Sequence, residues 1–386
     1  MLQQSLTLGR IGTVPLRIHW SWLIVVVLIT LMLNSVYVLP ACAALSPCAA
    51  SWVMAITMTA LLNLSVVLHE LGHALVALRY KLPVVGITLF AFGGMVEVRS
   101  ESPGPAQELA IAIAGPAVSL LLALSAGVLW WSLERLDLLA LELLALLASH
   151  VAISNAILGL FNLLPGFPMD GGRVLRAALW FFDDELMPAT RTVTLIGRGM
   201  GLAMVIVGFI AAPLSGNPML GLWLAIIGCF LIGTANSSYR QLIVHSALHG
   251  VQVDALMQRR FRTAPVTMPL DQFVTTYILG GAELGYAVVP ANAEEDEPPA
   301  LGLITLRQTR RLRHTEWAAR QVGDVMLPQH DLPQITPQMS AIDALYHMNT
   351  LREDVIPVLD NQRLVGVLRR HDIAVFVQMR RTRKRS

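Results

Sequence analysis

Six apolar segments, each long enough to cross a lipid bilayer, constrain this chain of 386 residues more than any other feature. A spanning helix needs about 20 mostly apolar residues. Only 14% of the residues are charged, whereas a soluble domain usually carries about 25%. We therefore predict an α-helical multi-pass membrane protein with six transmembrane helices, near residues 18–39, 54–80, 107–132, 138–164, 193–213 and 217–238.

The basic residues give these helices an orientation. With the N-terminus in the cytoplasm, ten Arg or Lys residues lie at the inner ends of the helices, and only Arg135 lies in an outer loop. An excess of basic residues in short loops marks the cytoplasmic side. We therefore expect a cell-membrane protein with both termini in the cytoplasm. The net charge of +2 gives no indication of a nucleic-acid partner.

Two other segments differ from the apolar helices. "VVGITLFAFGGMVEVRS" is rich in β-formers and predicts a small β-hairpin with its turn at Gly93 and Gly94. After residue 245 a pattern of short strands and helices repeats at a period of about 70 residues, which indicates two stacked α/β units. We predict a membrane domain over 1–245 and a cytoplasmic domain over 246–386, with copies at about 250–315 and 320–386.

The second apolar segment contains "HELGH", although ionisable side chains inside a bilayer are costly and usually functional. His69 and His73 are four residues apart, so both lie on one helix face within reach of one metal ion. Glu70 lies beside them and can act as general base on a metal-bound water. This pattern predicts a zinc hydrolase, and the alternative is a helix whose polar residues line the interior of a bundle.

A catalytic zinc needs a third protein ligand, and three residues are candidates. Glu97 follows the predicted hairpin, and His150 lies toward the outer half of the fourth helix. Asp170 lies at the inner end of that helix, at the depth of "HELGH", within Pro- and Gly-rich backbone that suits a cavity. Depth and charge favour Asp170, whose alternative role is a turn or helix cap.

With these residues the chain resembles the site-2 protease family of intramembrane zinc metalloproteases, in the branch of that family that has a C-terminal pair of CBS domains. The resemblance rests on "HELGH", "FGG", "AGP" and "NLLPGFPMDGGR" together. It implies one Zn²⁺ per chain held by His69, His73 and Asp170, with Glu70 as catalytic base. It also implies cleavage of single-span membrane proteins within or near their transmembrane segments.

The same resemblance suggests residues that bind substrate. Asn162 and Pro165, in the family's N-x-x-P element, are expected to contact the substrate or the oxyanion of the reaction. Gly93 and Gly94 are expected to lie where an unwound substrate strand pairs with the hairpin, at an edge formed by "GITLFAFGG". Asn155, about two turns before Asn162, is a further candidate.

The tail resembles CBS domains, which often bind adenine nucleotides and often dimerise. Its first copy has Thr305 of the ribose-contacting element but Gln308 in place of the family's Asp. Its second copy has Asp372 but Arg369 in place of the Thr. Two roles for the tail therefore stay open. It could bind an adenine nucleotide through Thr305 and Asp372, or it could serve only in docking or homodimerisation.

Two other classes of protein compete with the protease. A transporter or ion-handling protein with a regulatory CBS pair would need broken helices repeated in two halves, and the membrane part shows no such repeat. A catalytically inactive relative that binds membrane proteins is disfavoured by the intact "HELGH" and Asp170. Whether Cys42 and Cys48 form a disulfide stays open, since both lie in one short loop.

Overall fold

A computed structural model describes residues 5–38, 48–91, 93–98, 102–136, 138, 141–214, 218–280, 285–293, 298–310 and 312–383. The chain divides into two compact units, Met1–Arg240 and Gln241–Ser386. The predicted boundary between residues 245 and 246 lies close to this division. The question of a Cys42–Cys48 disulfide falls outside the described residues.

Apolar helices dominate the first unit. Five of them are long and apolar enough to cross a membrane, namely those that contain Ser51–Arg79, Pro105–Leu136, Glu142–Asn162, Leu186–Leu214 and Gly221–Leu248. The helix in the first predicted span is shorter, at Trp20–Ser35. A multi-pass architecture is therefore confirmed, with five full-length helices in the described residues rather than the six predicted. The helices are α1 Trp20–Met32, α2 Cys48–Arg79, α3 Pro105–Leu136, α4 Glu142–Asn162, α5 Asp170–Asp183, α6 Leu186–Leu214 and α7 Pro218–Leu248.

Helix α5 was not predicted from the sequence. It is too short to span a bilayer. Its charged residues also interrupt any long apolar segment, which is the pattern that predicts a membrane helix. Residues 163–169 separate it from α4 without regular helix or strand. The Pro- and Gly-rich segment therefore ends one helix and starts the next at Asp170, as the sequence indicated for a break at this position.

A four-stranded sheet packs against α2. Its strands are β1 Ser5–Ile11, β2 Val14–His19, β3 Val84–Phe90 and β4 Gly93–Val98, in the order β1-β2-β3-β4. Val14, Ile18, Ile87 and Leu89 of the sheet bury their side chains against Ala74 of α2. The sheet therefore lies against the helix that carries "HELGH".

The predicted hairpin is confirmed as β3 and β4, with two corrections. Phe90 pairs with Gly93 and Leu89 with Gly94, so the turn precedes the two glycines, which belong to β4. The N-terminal strand β2 pairs with β3, so β3 is a central strand and the exposed edge is β4. The sequence did not reveal this because the N-terminal hairpin β1–β2 was not recognised.

Helices α6 and α7 contact each other through glycines. A Cβ at Gly201 would meet the Gly228 carbonyl oxygen at 2.7 Å, and one at Gly208 would meet the Gly221 oxygen at 2.6 Å. Real side chains do not tolerate such distances, so the glycines permit the close approach. Without a hydrophobic driving force in lipid, small residues of this kind are what allow spanning helices to pack.

The second unit is built from short strands and helices, as the sequence predicted for this part of the chain. Strands β5 Thr263–Pro265, β6 Gly285–Val289, β7 Gly302–Thr305 and β8 Leu327–Pro328 form one sheet, and β9 Val355–Asp360 and β10 Arg363–Arg369 form a hairpin. Asn361 and Gln362 both have positive φ, as a two-residue hairpin turn requires. The helices are α8 Leu270–Phe273, α9 Leu306–Thr309, α10 Val322–Val325, α11 Ala341–Leu351 and α12 Arg370–Arg383.

Candidate active site

Helix α2 presents the "HELGH" residues on its buried side. His69 and His73 are 2% and 3% exposed, and Glu70 is 8% exposed. The two imidazole rings are one helical turn apart, with centroids separated by 5.0 Å. The four-residue spacing therefore places both rings on one face, as the sequence predicted.

The carboxylate of Asp170 meets both rings. Its Oδ2 lies 3.1 Å from His69 Nε2 and 3.1 Å from His73 Nε2. Asp170 is the first residue of α5, so the start of that helix aims the side chain at α2. Among the described residues, His69, His73 and Asp170 form the one cluster whose ligand atoms converge as a metal site requires.

The outer nitrogens of the two imidazoles are held by α3. His73 Nδ1 lies 2.7 Å from the carbonyl oxygen of Ile111, and His69 Nδ1 lies 2.8 Å from Ser119 Oγ. A carbonyl oxygen only accepts, so His73 Nδ1 carries the hydrogen and its Nε2 lone pair is left for a metal. Metal-ligating histidines are typically oriented by such an outer hydrogen bond.

The geometry fits a zinc ion on two counts. The Nε2 lone pair of His73 faces His69 Nε2 and the carboxylate oxygen of Asp170, an arrangement that a cation stabilises. Gly115 of α3 adds the space, since a Cβ there would lie within 3.0 Å of Nε2 of both His69 and His73. Three protein ligands with a further open position are the arrangement of a catalytic zinc site.

Glu70 lies between the metal-binding cluster and the edge strand of the sheet. A Cβ at Gly94 would lie within 3.0 Å of Cγ, Cδ and Oε1 of Glu70. A glycine is therefore required at position 94 for the strand backbone to approach the Glu70 carboxylate this closely. This close approach explains Gly94, which we predicted to form a turn. The potential base thus lies beside β4, which is one of the two edge strands of this sheet.

Charge at the start of α5 is set by neighbouring side chains. Burial alone would raise the pKa of Asp170, but its close contacts with the two imidazole rings outweigh burial and hold that pKa below its ordinary value. Burial alone would lower the pKa of Arg173, but the charge and hydrogen bonds of Glu108 outweigh it and raise that pKa. Asp170 is therefore an anion and Arg173 a cation.

The two other candidates for the third ligand lie elsewhere. Glu97 on β4 forms an ion pair with Arg17 on β2, at 3.2 Å. His150 on α4 has its Nε2 at 3.1 Å from the Met58 carbonyl oxygen. Each side chain links its own element to another one, and neither belongs to the convergent cluster.

The expected substrate-contacting residues border the break between α4 and α5. Asn162 is the last residue of α4, and its Nδ2 donates to the Leu158 carbonyl at 3.0 Å. Pro165 is exposed in the segment that follows. Asn155 is fully buried and donates to Ser65 Oγ at 2.8 Å, while its Oδ1 has no partner in the described structure. Their contacts with substrate stay predictions.

The two expected nucleotide contacts differ in their surroundings. Thr305 caps α9, and its hydroxyl is hydrogen-bonded to Gln308 and to Glu353. Asp372 accepts two hydrogen bonds from Arg369, from Nε at 2.9 Å and from Nη2 at 3.0 Å. The substituted positions Gln308 and Arg369 therefore bind the retained Thr and Asp of their own elements.

Sequence reasoning missed the contribution of α3 to the site. Glu108, Ile111, Gly115 and Ser119 have spacings of 3, 4 and 4 residues and therefore share one helix face. Glu108 and Ser119, at helical spacing on either side of "AGP", were a signal in the sequence that this helix face is functional. No local pattern indicates that this face, among the others of α3, is the one that contacts α2.

The comparisons with known proteins agree with this site. A family model described as peptidase family M50 matches residues 57–136 and 132–207, and a CBS-domain model matches residues 322–378. The chain is similar to zinc metalloprotease Rip3 of Mycobacterium tuberculosis, with 31% identity over 98% of this chain and 94% of the relative.

Two further matches cover much of the chain. Zinc metalloprotease sll0528 of Synechocystis sp. is 28% identical over 95% of this chain and 90% of the relative. A solved structure of the site-2 protease from Methanocaldococcus jannaschii is 29% identical and covers 61% of this chain and 95% of that one, with a TM-score of 0.44.

Proposed function

The chain belongs to peptidase family M50, the site-2 proteases, and we propose how its residues carry out zinc-dependent peptide hydrolysis in the membrane. The proposed zinc ligands are His69, His73 and Asp170, and the proposed general base is Glu70. Zinc is the cofactor indicated by the metalloprotease relatives, and the two imidazoles and one carboxylate that converge here are a donor set that suits it.

One observation supports this assignment most strongly. Asp170 lies 101 residues beyond His69 and 97 beyond His73, yet its Oδ2 is 3.1 Å from both imidazoles. Two buried histidines and one partly buried carboxylate that meet across two elements have little use in packing, because each group is costly to desolvate. The same convergence counts against an inactive relative and against a transporter.

The side chains divide the work of hydrolysis. Bound zinc supplies a Lewis acid that polarises a carbonyl and makes water acidic near neutral pH. Glu70 accepts a proton from the attacking water and returns it to the amine that leaves. Ile111 and Ser119 hold the two rings so that their Nε2 atoms face the metal position. Asn162 is proposed as a hydrogen-bond donor to the developing oxyanion.

Strand β4 is proposed as the docking edge for substrate. A transmembrane helix hides its amides in its own hydrogen bonds, so a scissile segment must unwind before it is cut. The edge of β4 offers unpaired backbone groups to such a segment, and Gly94 lies against Glu70. Pairing there brings the unwound backbone beside the base. We propose single-span membrane proteins as the substrate class.

Purified protein and a panel of single-span membrane proteins test this function. We expect cleavage within or beside the transmembrane segment, loss of cleavage with a zinc chelator, and its return when zinc is added back. Cleavage that is indifferent to chelation after zinc is shown to be removed would contradict the proposed chemistry.

The orientation is a separate proposal. Ten basic residues against one at the two sides support cytoplasmic termini and a cytoplasmic CBS pair. Fusions of alkaline phosphatase after Arg135 and after Arg383 report the two sides. We expect enzyme activity from the first fusion only, and the reverse result would invert the topology.

We also propose that the CBS pair binds an adenine nucleotide at Thr305. A cavity of about 270 Å³ beside this residue is lined by Arg307, Arg310 and Arg352 as well as by Glu353. Guanidinium groups suit phosphate, and carboxylates suit ribose hydroxyls. Asp372 is less accessible to a ligand because Arg369 already holds both of its oxygens.

Calorimetric titration of the full chain with ATP and AMP tests this site. We expect Arg310→Ala to weaken binding about tenfold, and Arg313→Ala, an exposed arginine outside the cavity, to leave it unchanged. No heat with either nucleotide would leave the docking or homodimerising role, which cross-linking of the full chain in detergent examines.

A further inference from the structure

Glu108 is a buried carboxylate that hydrolysis does not use. It lies in the first turn of α3 and is 2% exposed. Its Oε1 accepts from Arg173 Nε at 3.0 Å and from Arg176 Nη2 at 2.5 Å, and its Oε2 accepts from Ser102 Oγ at 2.5 Å. A carboxylate this deeply buried is stable only when it is paired and hydrogen-bonded in this way.

Both arginines belong to the helix that begins with Asp170. Arg173 follows Asp170 by three residues and Arg176 by six, so the three share one side of α5. Their side chains are 30% and 18% exposed, so most of each is enclosed. An anchor that holds two successive turns of α5 fixes the rotation of the helix about its axis and therefore the direction of Asp170.

The anchor lies on the same face of α3 that contacts the histidines. Ile111 binds His73, Ser119 binds His69, and Gly115 leaves the space between the two rings. Glu108 extends this face by one turn toward the start of α3. One face of one helix thus contacts both histidines directly and the helix of Asp170 through charge.

Charge makes Glu108 difficult to replace. It is the carboxylate that both guanidinium groups contact, and Arg176 Nε is buried without a hydrogen-bond partner in the described structure. Without Glu108, two enclosed cations would remain near the position of a divalent cation. Both the direction of Asp170 and the local charge would then disfavour the metal.

We propose that Glu108 is a positioning residue of the zinc site, which through Arg173 and Arg176 holds Asp170 in the direction needed to share an ion with His69 and His73. This rests on the proposed role of Asp170 as a zinc ligand. Outer-shell partners of this kind typically change metal affinity by about 10- to 100-fold.

Zinc affinity of the purified full chain, measured by competition with a chelator, tests the proposal. We expect Glu108→Gln to weaken zinc binding about 10- to 100-fold. Glu134→Gln is the matched control, because Glu134 is on the same helix and its carboxylate binds only Trp130 at the surface among the contacts described. Cobalt in place of zinc gives a second reading, since its visible absorption reports the ligand geometry.

A purely structural role predicts a different result. Glu108→Gln would then lower the melting temperature while the folded protein kept its zinc affinity and cobalt spectrum, and this outcome overturns the proposal. Glu108→Asp keeps the charge and shortens the reach by one methylene, so it decides the matter if the Gln variant does not fold. We expect an affinity between those of wild type and the Gln variant, and wild-type affinity in Glu108→Asp would also overturn the proposal.

The state of Asp170 separates this inference from the proposed function. If Asp170→Asn loses zinc while both Glu108 variants keep it, the inference alone fails. If Asp170→Asn keeps zinc at wild-type affinity, the proposed ligand set fails and the inference fails with it.

Discussion

Gly94 on the edge strand lies against the carboxylate of Glu70, with no room for a methyl group between them. The contact links the sheet to the chemistry, because a peptide paired with β4 would run alongside this contact. A glycine in a strand interior often marks a close approach of backbone to a functional group. The hairpin therefore contacts the proposed catalytic base, in addition to its proposed role in docking substrate.

Gly94→Ala is expected to displace Glu70 while leaving the zinc ligands in place. A displacement of about 1 Å in a catalytic group can cost about 100-fold in rate, so we expect kcat/KM to fall by that order with zinc content unchanged. Gly9→Ala is the control, since a Cβ at Gly9 in the same sheet meets nothing within 4 Å. Cleavage at the wild-type rate in Gly94→Ala would show that the contact has no catalytic consequence.

Glu70→Gln is expected to abolish measurable cleavage. The amide is nearly the same shape as the carboxylate but cannot accept the proton from water, and a lost general base typically costs about 10²- to 10⁴-fold. Zinc content should stay near one ion per chain because Glu70 is not a proposed ligand. Glu134→Gln removes a carboxylate that binds only Trp130 among the contacts described, and we expect it to cleave normally. Activity in Glu70→Gln would remove this residue from the mechanism.

The site was predictable from the sequence where a local pattern fixes the geometry. Two histidines four residues apart must share a helix face, and the Pro- and Gly-rich run before Asp170 must interrupt a helix. Depth in the membrane then paired the two elements, since the second and fourth helices run in the same direction. These constraints favoured Asp170 over Glu97 and His150, and the structure brings its carboxylate within 3.1 Å of both rings.

What the sequence could not supply were contacts between distant elements. The role of Gly94 depends on which side of β4 faces α2, and the pairing of β2 with β3 depends on an N-terminal hairpin far from it in the chain. Glu108 and its two arginines are about 65 residues apart, so no local pattern joins them. Helix α5 was not predicted because it contains several charged residues and is therefore not a continuous apolar segment.

Asp170→Asn is expected to lower zinc affinity more than about 100-fold, beyond the range for outer-shell changes, because it neutralises a proposed direct ligand. Competition with a chelator gives the dissociation constant, and metal analysis gives the occupancy. Asp183→Asn is the matched control, since Asp183 is the exposed last residue of the same helix. Full zinc occupancy in Asp170→Asn would show that Asp170 is not the third zinc ligand.

Gly115→Ala is expected to remove zinc without unfolding the helix. Alanine favours a helix interior over glycine by up to about 1 kcal/mol, so any loss must come from what the methyl group touches. At position 115 that group would lie within 3.0 Å of Nε2 of both His69 and His73, where the ion is expected. Gly127→Ala on the same helix meets only Ala152 Cβ, at 3.9 Å, and should bind zinc normally. Zinc bound at wild-type affinity by Gly115→Ala would mean that the ion lies on the other side of the imidazoles, away from α3.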